Sequence, residues 1–165
     1  MRIFNLNYCL LLTLAFSGIF NLVSGQRSGT SAKINKHELR WTAPITTQFT
    51  ESEVRSFLWF EGASYDASKE FLPVYNEQKK LPDGSNSATA TLQNAVYTPL
   101  DAASLAVLGN AASYLGSEAI VTCNFALSRK EPIASVSVLP LRKNPSNGQI
   151  EKLVSFTLDI RGNTN

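Results

Sequence analysis

Thiols and imidazoles are almost missing from this chain. Its two cysteines are Cys9 and Cys123, and its one histidine is His37. Cys9 falls within an N-terminal apolar run, so Cys123 has no partner for an intrachain disulfide once that run is removed. Small exported domains that depend on disulfide staples carry several cysteines, so packing must hold this one. The same shortage leaves no ligand cluster for a metal. One His, one Cys and thirteen scattered acids show no metal-binding spacing, and Glu51 and Glu53 read as surface or helix-start residues. No metal or cofactor is expected. An excess of one charge is also lacking, since 15 basic and 13 acidic residues give a formal net charge of +2. Such a balance argues against nucleic acid or anionic lipid as a partner. The pairs Lys79-Lys80, Arg129-Lys130 and Arg142-Lys143 are dispersed and read as solvated turn charges.

Motifs that announce chemistry are absent as well. The chain has no G-x-S-x-G, no P-loop and no G-x-G-x-x-G. A cysteine nucleophile needs a thiolate beside an imidazole, and only Cys123 and His37 could supply one. Cys123 sits on the apolar face of its strand, where burial hides the thiol and raises its pKa. His37 lies in the charged run "KHELR", which suits a solvent-facing or locally hydrogen-bonded ring. The dyad is rejected, and no catalytic, cofactor-binding or metal-binding residue is assigned. A paired-carboxylate site would require the fold to bring two acids together, which spacing alone does not establish.

What is present begins with a leader. Arg2 precedes the apolar stretch "LLLTLAFSGIF", too short to span a bilayer as a helix, and "VSG" offers small residues before Gln26. Residues 1–25 are read as a Sec-type signal peptide, residues 26–33 as a polar linker, and residues 34–165 as one domain. No further apolar run of that length follows, so no transmembrane span is expected in the processed chain.

From Ile34 onward the pattern is that of a β protein. "INKHELRW" places Leu39 and Trp41 on one face. "RSFLWFEGASY" is rich in aromatics and reads as a strand; a helix competes, because "TESE" at 50–53 fits a capping box. "FLPVYNEQKKLPDG" is an extended or edge segment with a Pro-Asp-Gly turn. "SATATLQNAV" alternates, with Ala88, Ala90, Leu92 and Val96 on one face. One short helix of about ten residues follows, with Thr98 as N-cap, Pro99 at the first position and Gly109 as the stop. Ala119, Val121, Cys123, Phe125 and Leu127 then share a face. Ala134, Val136 and Val138 share another, while Leu139 and Leu141 take the opposite parity, so Pro140 marks a bulge or an edge. The last two strands, within residues 135–160, read as a hairpin around "KNPSNGQ", with Val154, Phe156, Leu158 and Ile160 inward. About six or seven strands without βαβ alternation predict a mainly β, antiparallel sandwich-like domain.

Four segments are familiar together: "FEGASYD", "LPVYNEQKKLP", "NAVYTPLDAASLAVLGN" and "VLPLRKNPSNGQIEKLVSFTLDI". They resemble the N-terminal region of the type IX secretion system sortase, PorU type, a surface member of the gingipain-like C25 cysteine peptidase family of Bacteroidetes. The resemblance spans roughly Ile34 to Ile160 and is most specific in the last segment. It implies a full-length protein that cleaves C-terminal sorting domains from exported cargo and helps attach the cargo to the surface. In that family the catalytic His and Cys lie in a caspase-like domain well downstream, so neither His37 nor Cys123 inherits a role. The chain is therefore expected to be an N-terminal fragment without its peptidase domain, inactive by itself. Its expected partners are that downstream domain and other type IX outer-membrane components. Its expected location is the periplasm, outer membrane or cell surface. An exported adhesion or partner-binding module, using "FLWF", is the alternative.

Overall fold

Two alternating runs, Ala134–Val138 and Phe156–Ile160, form the centre of the domain. In the computed structural model, which describes residues 36–48 and 50–164, each run lies in the middle of a different sheet. The 1–25 leader and 26–33 linker lie outside the described residues. One sheet has the order β1 (Lys36–Glu38), β10 (Ile150–Asn163), β6 (Ser87–Pro99), with the short β9 (Leu141–Lys143) also paired to β10. The other runs β4 (Ser64–Asp66), β5 (Leu72–Lys80), β8 (Glu131–Leu139), β7 (Ile120–Ser128). A separate hairpin pairs β2 (Ile45–Gln48) with β3 (Val54–Phe57). All of these pairings are antiparallel, so the fold is the mainly β architecture that alternation predicted.

The sheets meet face to face. Ala134, Val136 and Val138 from β8 pack in one cluster with Leu153, Phe156 and Ile160 from β10. Fully burying each large apolar side chain there stabilises the fold by about 1.5–3 kcal/mol. A second cluster, built on Leu58, Leu72, Leu100, Leu108, Leu139 and Leu141, seats the helix. No helix among the described residues is long and apolar enough to cross a membrane.

The helix is shorter than expected and starts later. It spans α1 (Ala102–Leu108), and Asp101 is its N-cap, accepting from Ser104 N–H at 2.8 Å and Ser104 Oγ at 2.9 Å. Thr98 is held in the β6–β10 ladder opposite Lys152, and Pro99 ends that strand. Gly109 does stop the helix, at φ 47°, but the chain continues as a 3-10 turn over Gly109–Tyr114. The "TESE" segment forms the tight turn of the β2–β3 hairpin, where Thr50 and Glu53 exchange backbone hydrogen bonds.

Three parity readings change at irregularities. Val96 is exposed because Asn94, at φ 50°, inserts a bulge into β6 and flips the residues beyond it. Asn tolerates this left-handed backbone better than most residues. Val154 sits at a second register shift, so Leu153 is buried while Val154 is only partly covered. Leu127 is exposed near the end of edge strand β7, beyond the cover of the facing sheet.

Pro140 does more than interrupt a ladder. β8 pairs with β5 and β7, whereas β9 pairs only with β10, so the chain crosses between sheets at Pro140. Leu139 and Leu141, on either side of it, are both buried in the helix-side cluster. The terminal hairpin is thus limited to Leu141–Lys143 against Ile150–Lys152. Its loop keeps the expected turn chemistry, with Gly148 at φ 71° and Asn144 Oδ1 accepting from Ser146 N–H.

Candidate functional site

The two residues that could have formed a dyad belong to different neighbourhoods. Cys123 is on β7 opposite Val136, half-buried against the core, and burial pushes its thiol pKa up. His37 is on β1 opposite Phe156, and its ring stacks on that phenyl with centroids 5.1 Å apart. Its nitrogens face β5: Nδ1 is 2.9 Å from Tyr75 Oη and Nε2 is 3.4 Å from Glu77 Oε2. β5 and β7 flank β8 on opposite sides, so the imidazole addresses the strand farther from the thiol. His37 is neither solvent-facing nor locally bonded; its partners lie about forty residues away in sequence, across the open side of the sandwich.

That open side carries a polar seam. Tyr75, Glu77 and Lys79 alternate along β5 and point the same way. Tyr75 Oη donates to Glu77 Oε2 at 2.9 Å, and burial followed by that carboxylate raises the tyrosine's pKa above its usual range. Lys79 Nζ donates to the Ile160 carbonyl at 2.9 Å. An ammonium there ties β5 to the backbone of β10 in the other sheet.

A second polar cluster sits just past the Pro140 crossover. Arg142 Nε and Nη2 both donate to Glu151 Oε2, at 2.9 and 2.8 Å, and Asn144 Nδ2 donates to Glu151 Oε1 at 2.7 Å. The Arg142 guanidinium lies 3.6 Å from the centroid of the Tyr97 ring. Asn144, then Arg142, hold the Glu151 carboxyl below the usual range. The dispersed basic pairs were read as solvated turn charges, yet Arg142 is a shielded anchor and Lys79 a strand residue. Only Arg129 and Lys130 occupy a tight turn, both at positive φ between β7 and β8.

The aromatic run is core. Phe57, Leu58 and Phe60 are buried, and Phe60 packs against Trp41 with centroids 5.0 Å apart. Of the "FLWF" run, only Trp59 is left partly exposed. The sheet of β4, β5, β8 and β7 carries a groove of about 460 Å³ along Asn76, Thr122 and Ser137, walled by Tyr65 to Lys69, with the Asp66–Lys69 ion pair in that wall. Among the described residues no three His, Cys, Asp or Glu side chains gather in one place. The arrangement is one of strands anchored to one another by polar contacts, with Arg142–Glu151 the most shielded ion pair among the described residues.

No protein-family model and no curated protein matches this sequence. Among solved structures, the chain is similar to one in the complex of the pro- and mature domains of RgpB from Porphyromonas gingivalis. The TM-score is 0.54 at 12% identity, covering 78% of each chain. It is also similar to a structure addressing the zymogenic latency of gingipain K from the same organism. There the TM-score is 0.49 at 12% identity, over 79% of this chain and 87% of the other. The RgpB likeness is one of architecture: this β domain shares the fold of a gingipain pro-domain.

Proposed function

We propose that the chain is the N-terminal, prodomain-like β domain of a gingipain-like C25 peptidase, and more narrowly of a type IX sortase of the PorU type. The observation that carries the first half is the shared fold with a chain from a pro- and mature-domain complex, over 78% of both. The narrower assignment is supported by the sequence resemblance from Ile34 to Ile160, which is strongest over residues 138–160. On this reading the domain packs against a downstream caspase-like peptidase domain, which supplies the catalytic His and Cys. The full-length protein removes C-terminal sorting domains from cargo and helps attach it to the cell surface. Export by a Sec-type signal in residues 1–25 completes the reading, with the periplasm, outer membrane or cell surface as its destination.

The test uses residues 26–165 and the peptidase region encoded downstream in the same reading frame, produced separately. Association at micromolar concentration or tighter is expected. No binding at high micromolar concentration, or a downstream frame without a caspase-like His and Cys, refutes the assignment. Cleavage of a cargo carrying a C-terminal sorting domain by the full-length protein separates a sortase from another C25 peptidase.

A further inference from the structure

The seam between β1 and β5 has one proton too few for its contacts. Tyr75 Oη donates to Glu77 Oε2, so its oxygen is left to accept from Nδ1–H of His37, 2.9 Å away. In that tautomer a neutral ring has a bare Nε2, shielded from solvent and without a hydrogen-bond partner, 3.4 Å from the same Glu77 oxygen. The other tautomer puts a proton on Nε2, but Nδ1 must then accept the tyrosine proton and Glu77 loses it. Either way, three contacts share two protons. A buried polar atom left unpaired costs about 1–3 kcal/mol.

We propose that His37, Tyr75 and Glu77 form a pH-sensitive latch that fastens β1 to the opposite sheet when the imidazole is protonated. An imidazolium donates from both nitrogens, so Nδ1–H goes to Tyr75, Tyr75 to Glu77, and Nε2–H to Glu77, closing the ring. The surrounding groups leave this proton to the triad. On β5, Lys79 is committed to the Ile160 carbonyl. On β1, Lys36 and Glu38 pair with each other at 2.8 Å on the outside. On β10, Asp159 is held by Arg161, and the stacked Phe156 is apolar. From β8, Ala134, Val136 and Val138 face the core. Glu77 is thus the anion that meets the ring.

The sign follows from which form is satisfied. The protonated ring leaves no contact without a donor, whereas either neutral tautomer leaves one short. The latch therefore tightens on mild acidification and loosens towards alkaline pH. Among the described residues β1 has a three-residue ladder with β10, and the latch adds a hold on the opposite sheet.

The chain has one histidine, which makes the test direct. With 15N-labelled histidine in residues 26–165, both ring nitrogens are expected to carry slowly exchanging protons at pH 5.5. Between pH 8 and 5.5 the wild type is expected to gain about 3–6 °C in Tm relative to His37→Gln. Tyr75→Phe keeps the aromatic packing and is expected to reduce the wild-type gain. Parallel pH profiles for wild type and His37→Gln, a single protonated ring nitrogen in acid, or an undiminished gain in Tyr75→Phe would overturn the latch.

Discussion

Gly162, near the end of β10, is where the last strand runs closest to the loop that follows β5. A Cβ built there would overlap Ser85 Oγ and sit 3.0 Å from Ser85 Cβ and 3.2 Å from Leu81 Cβ. Neither neighbour yields easily: Leu81 is 3% exposed and Ser85 7%. The Ser85 hydroxyl is also spent on the Pro82 carbonyl at 2.7 Å. Overpacking at such a site costs about 1–3 kcal/mol. Displacing Ser85 from the Pro82 carbonyl adds about 1 kcal/mol. Gly162→Ala is therefore expected to destabilise the domain by about 2–4 kcal/mol, a large share of the ~5–15 kcal/mol of a typical domain. Urea denaturation followed by tryptophan fluorescence reads this directly, because Trp41 packs on the core. Ser85→Gly clears both Ser85 atoms from the site, so the double variant should lose at least ~1 kcal/mol less than the two single losses combined. A Gly162→Ala cost below ~0.5 kcal/mol, or strict additivity with Ser85→Gly, would refute the close-approach argument.

Glu151→Gln should weaken the β9–β10 hairpin, because Arg142 loses its charged partner while Asn144 keeps only an amide oxygen. The Glu151 carboxyl is held low, so its contribution is present above the unfolded carboxylate range near ~4.3 and is lost as pH falls through the lower folded value. Wild type and Glu151→Gln should accordingly converge in urea midpoint between pH 7 and 3; a constant gap would sink this account. Cys123 should react with a thiol-specific disulfide reagent at least ~10-fold more slowly in the folded chain than in urea, since burial raises its pKa and restricts access. Equal rates would show an open thiol. Val96→Thr should change stability by less than ~0.5 kcal/mol, whereas Leu153→Ala should cost about 2–5 kcal/mol; the reverse order would put the bulge in the wrong place.

Much of the sandwich was legible because period-two alternation survives wherever a strand has a regular neighbour on the buried face. Ala134, Val136 and Val138 in β8, and Phe156 and Ile160 in β10, are inward as their spacing requires. What failed to show were the places where one residue changes the count. Asn94 looks like an ordinary polar residue in a strand, and only its positive φ reveals that Val96 has turned outward. Pro140 announced a disruption, but nothing local says that the chain leaves one sheet for the other there. Thr98 had the better capping context in sequence, yet pairing with β10 claimed it and left Asp101 to cap α1. Among the functional candidates, the placement of Cys123 followed from alternation. The partners of His37 did not, because Tyr75 and Glu77 lie across the sandwich on the other sheet. Arg142 gave no signal distinguishing it from a surface cation; its aromatic and carboxylate neighbours come from β6 and β10.

The position of β10 between β1 and β6 also dictates an order of assembly. The sheet made of β4, β5, β8 and β7 has all of its own strands once Leu139 has been synthesised, while the apolar face of β8 still awaits its cover from β10. The other sheet cannot begin: among the described residues β6 and β1 do not pair with each other, and both wait for β10. Lys36 meets Thr157 only after nearly the whole domain exists, and such long-range pairing is slow to form. A chain stopped after Lys143 should therefore protect the amides of β5 and β8 from hydrogen exchange while leaving those of β1 and β6 open. Growing from its N-terminus, the domain stays half-made until β10 arrives.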